Sequence, residues 1–307
     1  MATNLTVDSG GVRIAVRDFG GEGTTLILLH GLGGTLLDWS LMVPLLTGQH
    51  HVVALDLRGH GESGDGEWSW ADALADVAAV AEVVGEVNPA VVGHSLGGML
   101  AGMWGEAHPD SPGVVNLDGH GGKKRLDQFV GLDPATATEQ QHALAAWLAR
   151  SETEFAGPLQ PAQIDVLLGH QRALAAKVGV PEDIILDSFR RGLRQENDET
   201  WLRPDPGGWG SEIIAAADRF DLLDLYARVN CPFLIFIATT PFWVPVPPWV
   251  QELLTAYRTG LARDLARLAD EHPNVRNISL EASHALIVER PQVIADAIIT
   301  FLAAPPS

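Results

Sequence analysis

The sequence predicts an α/β fold: a mostly parallel central sheet flanked by helices, with a helical cap insertion between two of its strands. Three observations carry this. Short, continuously apolar runs recur, "TLILLH" at 25–30, "HVVALD" at 51–56, "AVVGH" at 90–94, "GVVNLD" at 113–118 and "FLIFIA" at 233–238. Strands buried on both faces of a parallel sheet read this way. Stretches with helical character separate most of these runs, and the alternation stops between residues 119 and 229, where helical patches occur without a convincing strand.

Taken in order, "VRIAVRDFG" at 12–20 alternates apolar and polar residues and predicts half a hairpin. Residues 71–84 are rich in Ala and Val with Asp72, Asp76 and Glu82 interleaved, as in a helix lying on a sheet. Residues 96–108 follow a strand directly and stop before Pro109. The insertion holds helical patches at 142–150, 164–178 and 213–218. Residues 248–272 carry Glu252, Arg258, Arg263, Asp264 and Arg267 between apolar residues, a long amphipathic helix. A last strand is expected at 275–280 and a last helix at 291–302, with Pro291 in its first turn, where a missing N–H costs least. The expected division is a core domain of residues 1–118 and 230–307 and a helical cap of residues 119–229.

Composition narrows the function classes. The 307 residues are 46% hydrophobic, enough for a sizeable core, and carry 39 acidic against 20 basic side chains, a net charge of −19. Such a field opposes contact with nucleic acid or an anionic membrane, so neither is an expected partner. The lone cysteine, Cys231, excludes an intramolecular disulfide and, beside Pro232 and an apolar run, reads as a core residue. The N-terminus lacks the basic-then-apolar pattern of a signal peptide and no run of about 18 apolar residues exists, so a cytoplasmic protein is expected. No Cys/His spacing matches a zinc site. "GGEGTTL" at 20–26 precedes a strand instead of opening a helix, so no dinucleotide fingerprint is present. Neither metal nor cofactor is expected, and the oligomeric state stays open.

The strongest chemical signal is "VVGHSLGGML" at 91–100. A buried strand runs into Gly93-His94-Ser95-Leu96-Gly97 and a helix follows at once, the strand–turn–helix context that makes G-x-S-x-G a nucleophile elbow. A serine hydroxyl needs a base. His142 and His170 fall in helical patches and His272 ends a helix. His284, in "LEASHALIVERP", stands in a loop between the last strand and the last helix, on the strand-end edge that Ser95 occupies. Backbone N–H groups for a developing oxyanion would come from Leu96, after the nucleophile, and from Leu32 in the glycine-rich "HGLGG" at 30–34. His30, Gly31 and His94 lie beside them and read as pocket residues.

The chain resembles the α/β-hydrolase fold superfamily: "HGLGG", "DLRGHGES" at 56–63, "GHSLGG", an insertion and a terminal "SHALIVERP" follow in that family's order. The resemblance implies a chain order of Ser, acid, His. It also implies that Asp56, Arg58 and His60 hold loops together. The family's acid usually follows the next-to-last strand, yet Thr239-Thr240-Pro241-Phe242-Trp243 stand there, with no acid before Glu252. Some members carry the acid after the strand that follows the nucleophile helix, and here that residue is Asp118. An Asp-Gly pair is also a common turn. Asp221 and Asp224 are competing acids, and a Ser–His dyad is a third arrangement.

These residues point to acyl transfer to water: a serine esterase-like hydrolase acting on a small acyl substrate, with Ser95 as nucleophile, His284 as base and Asp118 orienting it. Lactonases, thioesterases, acyltransferases and C–C bond hydrolases use the same residues. A ligand-binding protein on a hydrolase scaffold is the reading from another class. A dehalogenase or epoxide hydrolase with an Asp nucleophile is disfavoured by the serine at 95. Trp147, Trp201, Trp209, Trp243 and Trp249 supply aromatic surface, and the Pro-stiffened stretch at 239–250 with Trp243 is expected to line an apolar pocket.

Overall fold

A computed structural model describes residues 2–206, 210–240 and 246–304. The chain opens with an antiparallel pair, β1 (Thr3–Ser9) and β2 (Val12–Gly20). Then follow β3 (Thr25–Leu29), a 3-10 turn (Leu36–Trp39), α1 (Val43–Leu46), β4 (His51–Leu55), α2 (Trp70–Val83), β5 (Ala90–His94), α3 (Leu96–Ala107) and β6 (Val114–Leu117). The next segment contains α4 (Pro134–Glu154), α5 (Pro161–Val178), α6 (Glu182–Arg191), β7 (Leu193–Glu196), β8 (Glu199–Leu202), α7 (Ser211–Ala217) and α8 (Leu222–Ala227). The chain then returns to the sheet as β9 (Phe233–Ala238), α9 (Pro248–Glu271), β10 (Val275–Leu280), α10 (Leu286–Glu289) and α11 (Pro291–Ala303).

Eight strands form one sheet in the order β1-β2-β4-β3-β5-β6-β9-β10, and every pair from β4 to β10 is parallel. The apolar runs become its centre because both faces are covered. Along β3, Leu26 and Leu28 pack with Trp39, Leu46 and Ile294 on one side. Ile27 and Leu29 pack with Val77, Leu100 and Tyr226 on the other. All residues of β3 and β9 are buried, which removes the polar alternation a one-sided strand would show. Cys231 is buried beside β9 with its thiol pushed up to about 11 by burial. Among the described residues no helix is long and apolar enough to cross a membrane.

The segment between β6 and β9 departs from expectation. It was expected to lack strands, but β7 and β8 pair as an antiparallel hairpin, Leu193 opposite Leu202. The turn is Asn197-Asp198, both at positive φ (50° and 66°), a two-residue connection that matches the twist of the flanking strands. Helices α6 and α8 were also not anticipated. Helix α6 carries Glu182 and Asp183 in its first turn and Arg190 and Arg191 in its last, complementing its dipole. It docks on the loops that follow β3 and β4. Ser188 bonds Thr35 at 2.7 Å and also donates to Asp38, while Arg191 bonds Asp56 at 2.9 Å and Glu62 at 2.9 Å. From the hairpin, Arg194 reaches Asp65 at 2.8 Å, and Arg203, just beyond β8, donates to the Gly61 carbonyl at 2.7 Å.

Candidate active site

Ser95 occupies the turn between β5 and α3 with φ 54° and ψ −116°, a conformation that L-residues rarely hold without a structure that over-determines it. Its flanks require glycine by contact. A methyl group on Gly93 would lie 1.9 Å from the Gly97 carbonyl oxygen, and one on Gly97 would lie 2.2 Å from that of Leu29. Backbone atoms cannot yield there. The turn is fixed to the sheet on both sides: the Ser95 N–H donates to the Leu117 carbonyl at 3.0 Å and the Gly97 N–H to that of His30 at 3.2 Å.

His284 stands in the loop between β10 and α10, and Asp118 directly after β6. The structure brings both to Ser95. His284 Nδ1 lies 2.7 Å from Asp118 Oδ2 and His284 Nε2 lies 3.0 Å from Ser95 Oγ. The carboxylate only accepts, so Nδ1 carries the proton, Nε2 presents its lone pair and the serine hydroxyl donates to it.

The placement of Asp118 is built from its neighbours. Its φ of 56° is left-handed, which Asp tolerates better than most residues. Asn116 holds the turn: its Oδ1 accepts the Gly119 N–H at 2.6 Å and its Nδ2 donates to the Tyr226 hydroxyl at 2.6 Å, which itself donates to the Gly119 carbonyl at 2.9 Å. Glycine follows because a methyl group at 119 would sit 2.3 Å from the Ser95 carbonyl oxygen. The carboxylate then reaches across to the neighbouring strand, where Oδ1 accepts the N–H of Ala238, the last residue of β9, at 2.9 Å. A carboxylate rooted on β6 thereby arrives at the end of β9, the strand after which the resemblance places an acid. The competing acids lie elsewhere: Asp221 caps α8 and Asp224 pairs with Arg228 on the exposed surface.

Asp118 has a further partner. Arg258 on α9 spans both of its oxygens, at 3.3 Å to Oδ1 and 3.2 Å to Oδ2, and donates to the Ala238 carbonyl as well. Burial alone would raise the Asp118 carboxyl, but the hydrogen bond and electrostatic attraction of His284 and the charge of Arg258 hold it well below the usual carboxylate range. The histidines around it are kept neutral. His94 is pushed down to about 3 by burial and by His284; its Nε2 donates to the His284 carbonyl at 2.8 Å, with the two rings 4.8 Å apart. Burial also lowers His120, whose Nε2 donates to the Phe236 carbonyl at 2.8 Å.

Of the other anticipated residues, Gly31 lies against the serine: a methyl there would sit 3.0 Å from Ser95 Cβ. Leu96 is the first residue of α3, so its N–H has no acceptor within the helix. Leu32 is on the same loop as Gly31, with its residue surface exposed. His94, expected in the pocket, is committed through Nε2 to the backbone of His284. His30, expected in the pocket, is instead wholly buried, its Nδ1 donating to Gly31 at 2.7 Å and its Nε2 accepting from Leu57 at 2.9 Å, so its ring ties two loops together. Trp243 lies outside the described residues. In the loop after β4, Asp56 accepts the Leu36 and Glu62 N–H groups and Arg58 forms a fork on Asp76, both ties between loops and helices. Sequence reasoning missed Asn116, Tyr226, His120 and Arg258 as parts of the site. Asn116 left a signal, a lone amide in an otherwise apolar buried strand, which must find partners. Among the described residues no cluster of His, Cys, Asp or Glu is arranged to hold a metal ion.

Comparison with known proteins agrees with this architecture. A solved structure of E-2-(acetamidomethylene)succinate hydrolase superposes with a TM-score of 0.71 at 20% identity, over 99% of this chain and 100% of that one. Local sequence similarity is higher. The dihydrolipoyllysine-residue acetyltransferase component of the acetoin cleaving system of Pseudomonas putida is 38% identical over 95 residues, 30% of this chain and 26% of that protein. Mouse protein phosphatase methylesterase 1 is 42% identical over 90 residues, 27% of this chain and 23% of that protein. The chain thus matches about a quarter of the length of these relatives. The model of the Alpha/beta hydrolase family matches residues 26–297, from the first parallel strand into the last helix. With its strand order, elbow and near-complete match in hand, the chain belongs to the Alpha/beta hydrolase family.

Proposed function

We propose that the protein is a serine hydrolase that cleaves a carboxylic ester, or a lactone or thioester, through an acyl-enzyme on Ser95. The observation that carries the reading is the continuous chain Asp118–His284–Ser95, at 2.7 and 3.0 Å, ending on a strained elbow. Ser95 Oγ attacks the acyl carbon while its proton passes to His284 Nε2. Asp118 fixes the Nδ1–H tautomer and stabilises the imidazolium. The oxyanion is received by the N–H groups of Leu96 and Leu32; the free helix-end donor at 96 and the approach of Gly31 to Ser95 support that assignment. His284 then protonates the leaving group, which departs and leaves an ester on Ser95. Water attacks that ester with His284 again as base, releasing the acid and restoring the serine. The names of the relatives, a methylesterase and an acetyltransferase component, are in keeping with chemistry at an acyl carbon.

Residues 119–229 form the cap in this reading, and the substrate is a small acyl compound. The test is covalent labelling with a fluorophosphonate probe alongside a panel of esters, lactones and thioesters of graded chain length. Wild-type protein should label stoichiometrically and turn over at least one class; Ser95→Ala should do neither while remaining folded. A folded wild-type protein that takes up no label refutes the reading.

A further inference from the structure

We propose that Arg258 is a positioning residue that sets how readily His284 takes up a proton, acting through Asp118; the proposal rests on the acyl-transfer reading above. The guanidinium lies across the carboxylate as a two-pronged fork, 3.3 and 3.2 Å from its two oxygens, and also holds the Ala238 carbonyl at the end of β9. With His284 on Oδ2 and the Ala238 N–H on Oδ1, both oxygens carry a bond from the site and one from Arg258. The fork does two things. It fixes the plane of the carboxylate so that Oδ2 faces Nδ1, a task that arginine geometry performs and a lysine does not. It also makes Asp118 one half of an ion pair whose net charge is zero.

The second effect reaches His284. An unpaired carboxylate would favour the imidazolium with its whole charge, whereas one paired with Arg258 favours it less. The Arg258 charge therefore opposes the imidazolium beside Asp118, and removing it favours that cation. The other groups around the pair do not supply this charge. His94 from β5 and His120 from the turn after β6 are buried and held neutral. Tyr226 on α8 and Tyr257 on α9 are pushed up by burial and stay protonated. Glu289 on α10 is occupied by Ser283 and by Lys177. The carboxylate is 4% exposed and the Arg258 side chain 18%, so solvent screens the pair only in part.

The experiment compares wild type with Arg258→Gln and Arg258→Lys by three readouts: the pH profile of kcat/KM on an active ester, the pH profile of fluorophosphonate labelling, and NMR titration of the His284 ring. Arg258→Gln should move the His284 midpoint and both acid limbs upward by about one pH unit. Arg258→Lys should keep the midpoint near wild type while lowering kcat, because it retains the charge and loses the fork. Where glutamine prevents folding, Arg258→Met, which retains an unbranched aliphatic stem, takes its place. An unmoved midpoint in the uncharged variant overturns the proposal, as does an equal displacement in the lysine variant. NMR titration needs no substrate, so a wild type that neither labels nor hydrolyses would refute the acyl-transfer reading while the titration still decides the role of Arg258.

Discussion

At position 118 an acid, a positive φ and a following glycine meet, and each has a separate physical cause. The acid answers His284, the left-handed backbone is held by Asn116 and Tyr226, and Gly119 gives way to the Ser95 carbonyl. On sequence, Asp118-Gly119 was equally a turn pair. What favoured the acid over the turn was the missing acid after β9, and in the structure the Asp118 carboxylate bonds the last N–H of β9. Asp118→Asn should lower kcat by about 10⁴-fold, because an amide no longer enforces the productive imidazole tautomer, with far-UV circular dichroism unchanged. A variant within tenfold of wild type would return Asp118 to a turn role. Arg258 was beyond sequence reasoning for a plain reason. It stands 140 positions from Asp118 on an amphipathic helix, where a charged residue reads as part of the polar face.

Among elements, the parallel strands were legible because burial on both faces leaves a run of apolar residues that little else imitates. The hairpin β7–β8 was not, since "LRQE" and "ETWL" alternate weakly and their residues are only half-buried or exposed. Its Asn-Asp turn was the available signal. Helix α6 matters more than its length suggests. Through Arg191 it places a cation on Asp56, which is fully buried and also accepts the Leu36 and Glu62 N–H groups. Removing one partner of a buried pair strands the other. Arg191→Met should therefore cost about 3 kcal/mol in chemical denaturation, and limited proteolysis should cut within residues 119–229 faster than in wild type. Unchanged stability and cleavage would mean that α6 is held by its apolar face alone.

For the whole molecule, buried titratable groups set the response to acid. Burial pushes His30 down to about 4 and His94 to about 3, and also lowers His60 and His120. Such groups take up protons on unfolding below their ordinary 6.5, so their contribution is intact above that pH and is lost as pH falls toward their folded values. Asp38, pushed up to about 6 by burial, has the opposite sign: its ionisation costs stability, and the cost is relieved as pH falls from 6 to 4. The histidines outnumber it. Thermal melts across a pH series should show Tm falling from pH 6.5 to 4, and Asp38→Asn should make that fall steeper. A Tm that rises over the same interval would contradict the balance.

The sequence by itself determined what depends on neighbours along the chain. Apolar runs specify buried strands, the glycines at 93 and 97 specify the elbow at Ser95, and the loop position of His284 between the last strand and the last helix puts it on the strand-end edge that Ser95 occupies. The sequence also singled out Asp118 as the candidate acid, since no acid follows β9 and one follows β6. Tertiary structure alone decided what depends on distance across the fold. It turned His30 into a tie between loops, set α6 on Asp38 and Asp56, and laid Arg258 over the Asp118 carboxylate. The physical reason is that burial, charge pairing and hydrogen-bond partners belong to positions in space. A local pattern specifies a backbone conformation, whereas the partner of a buried charge is specified only once the chain has closed around it.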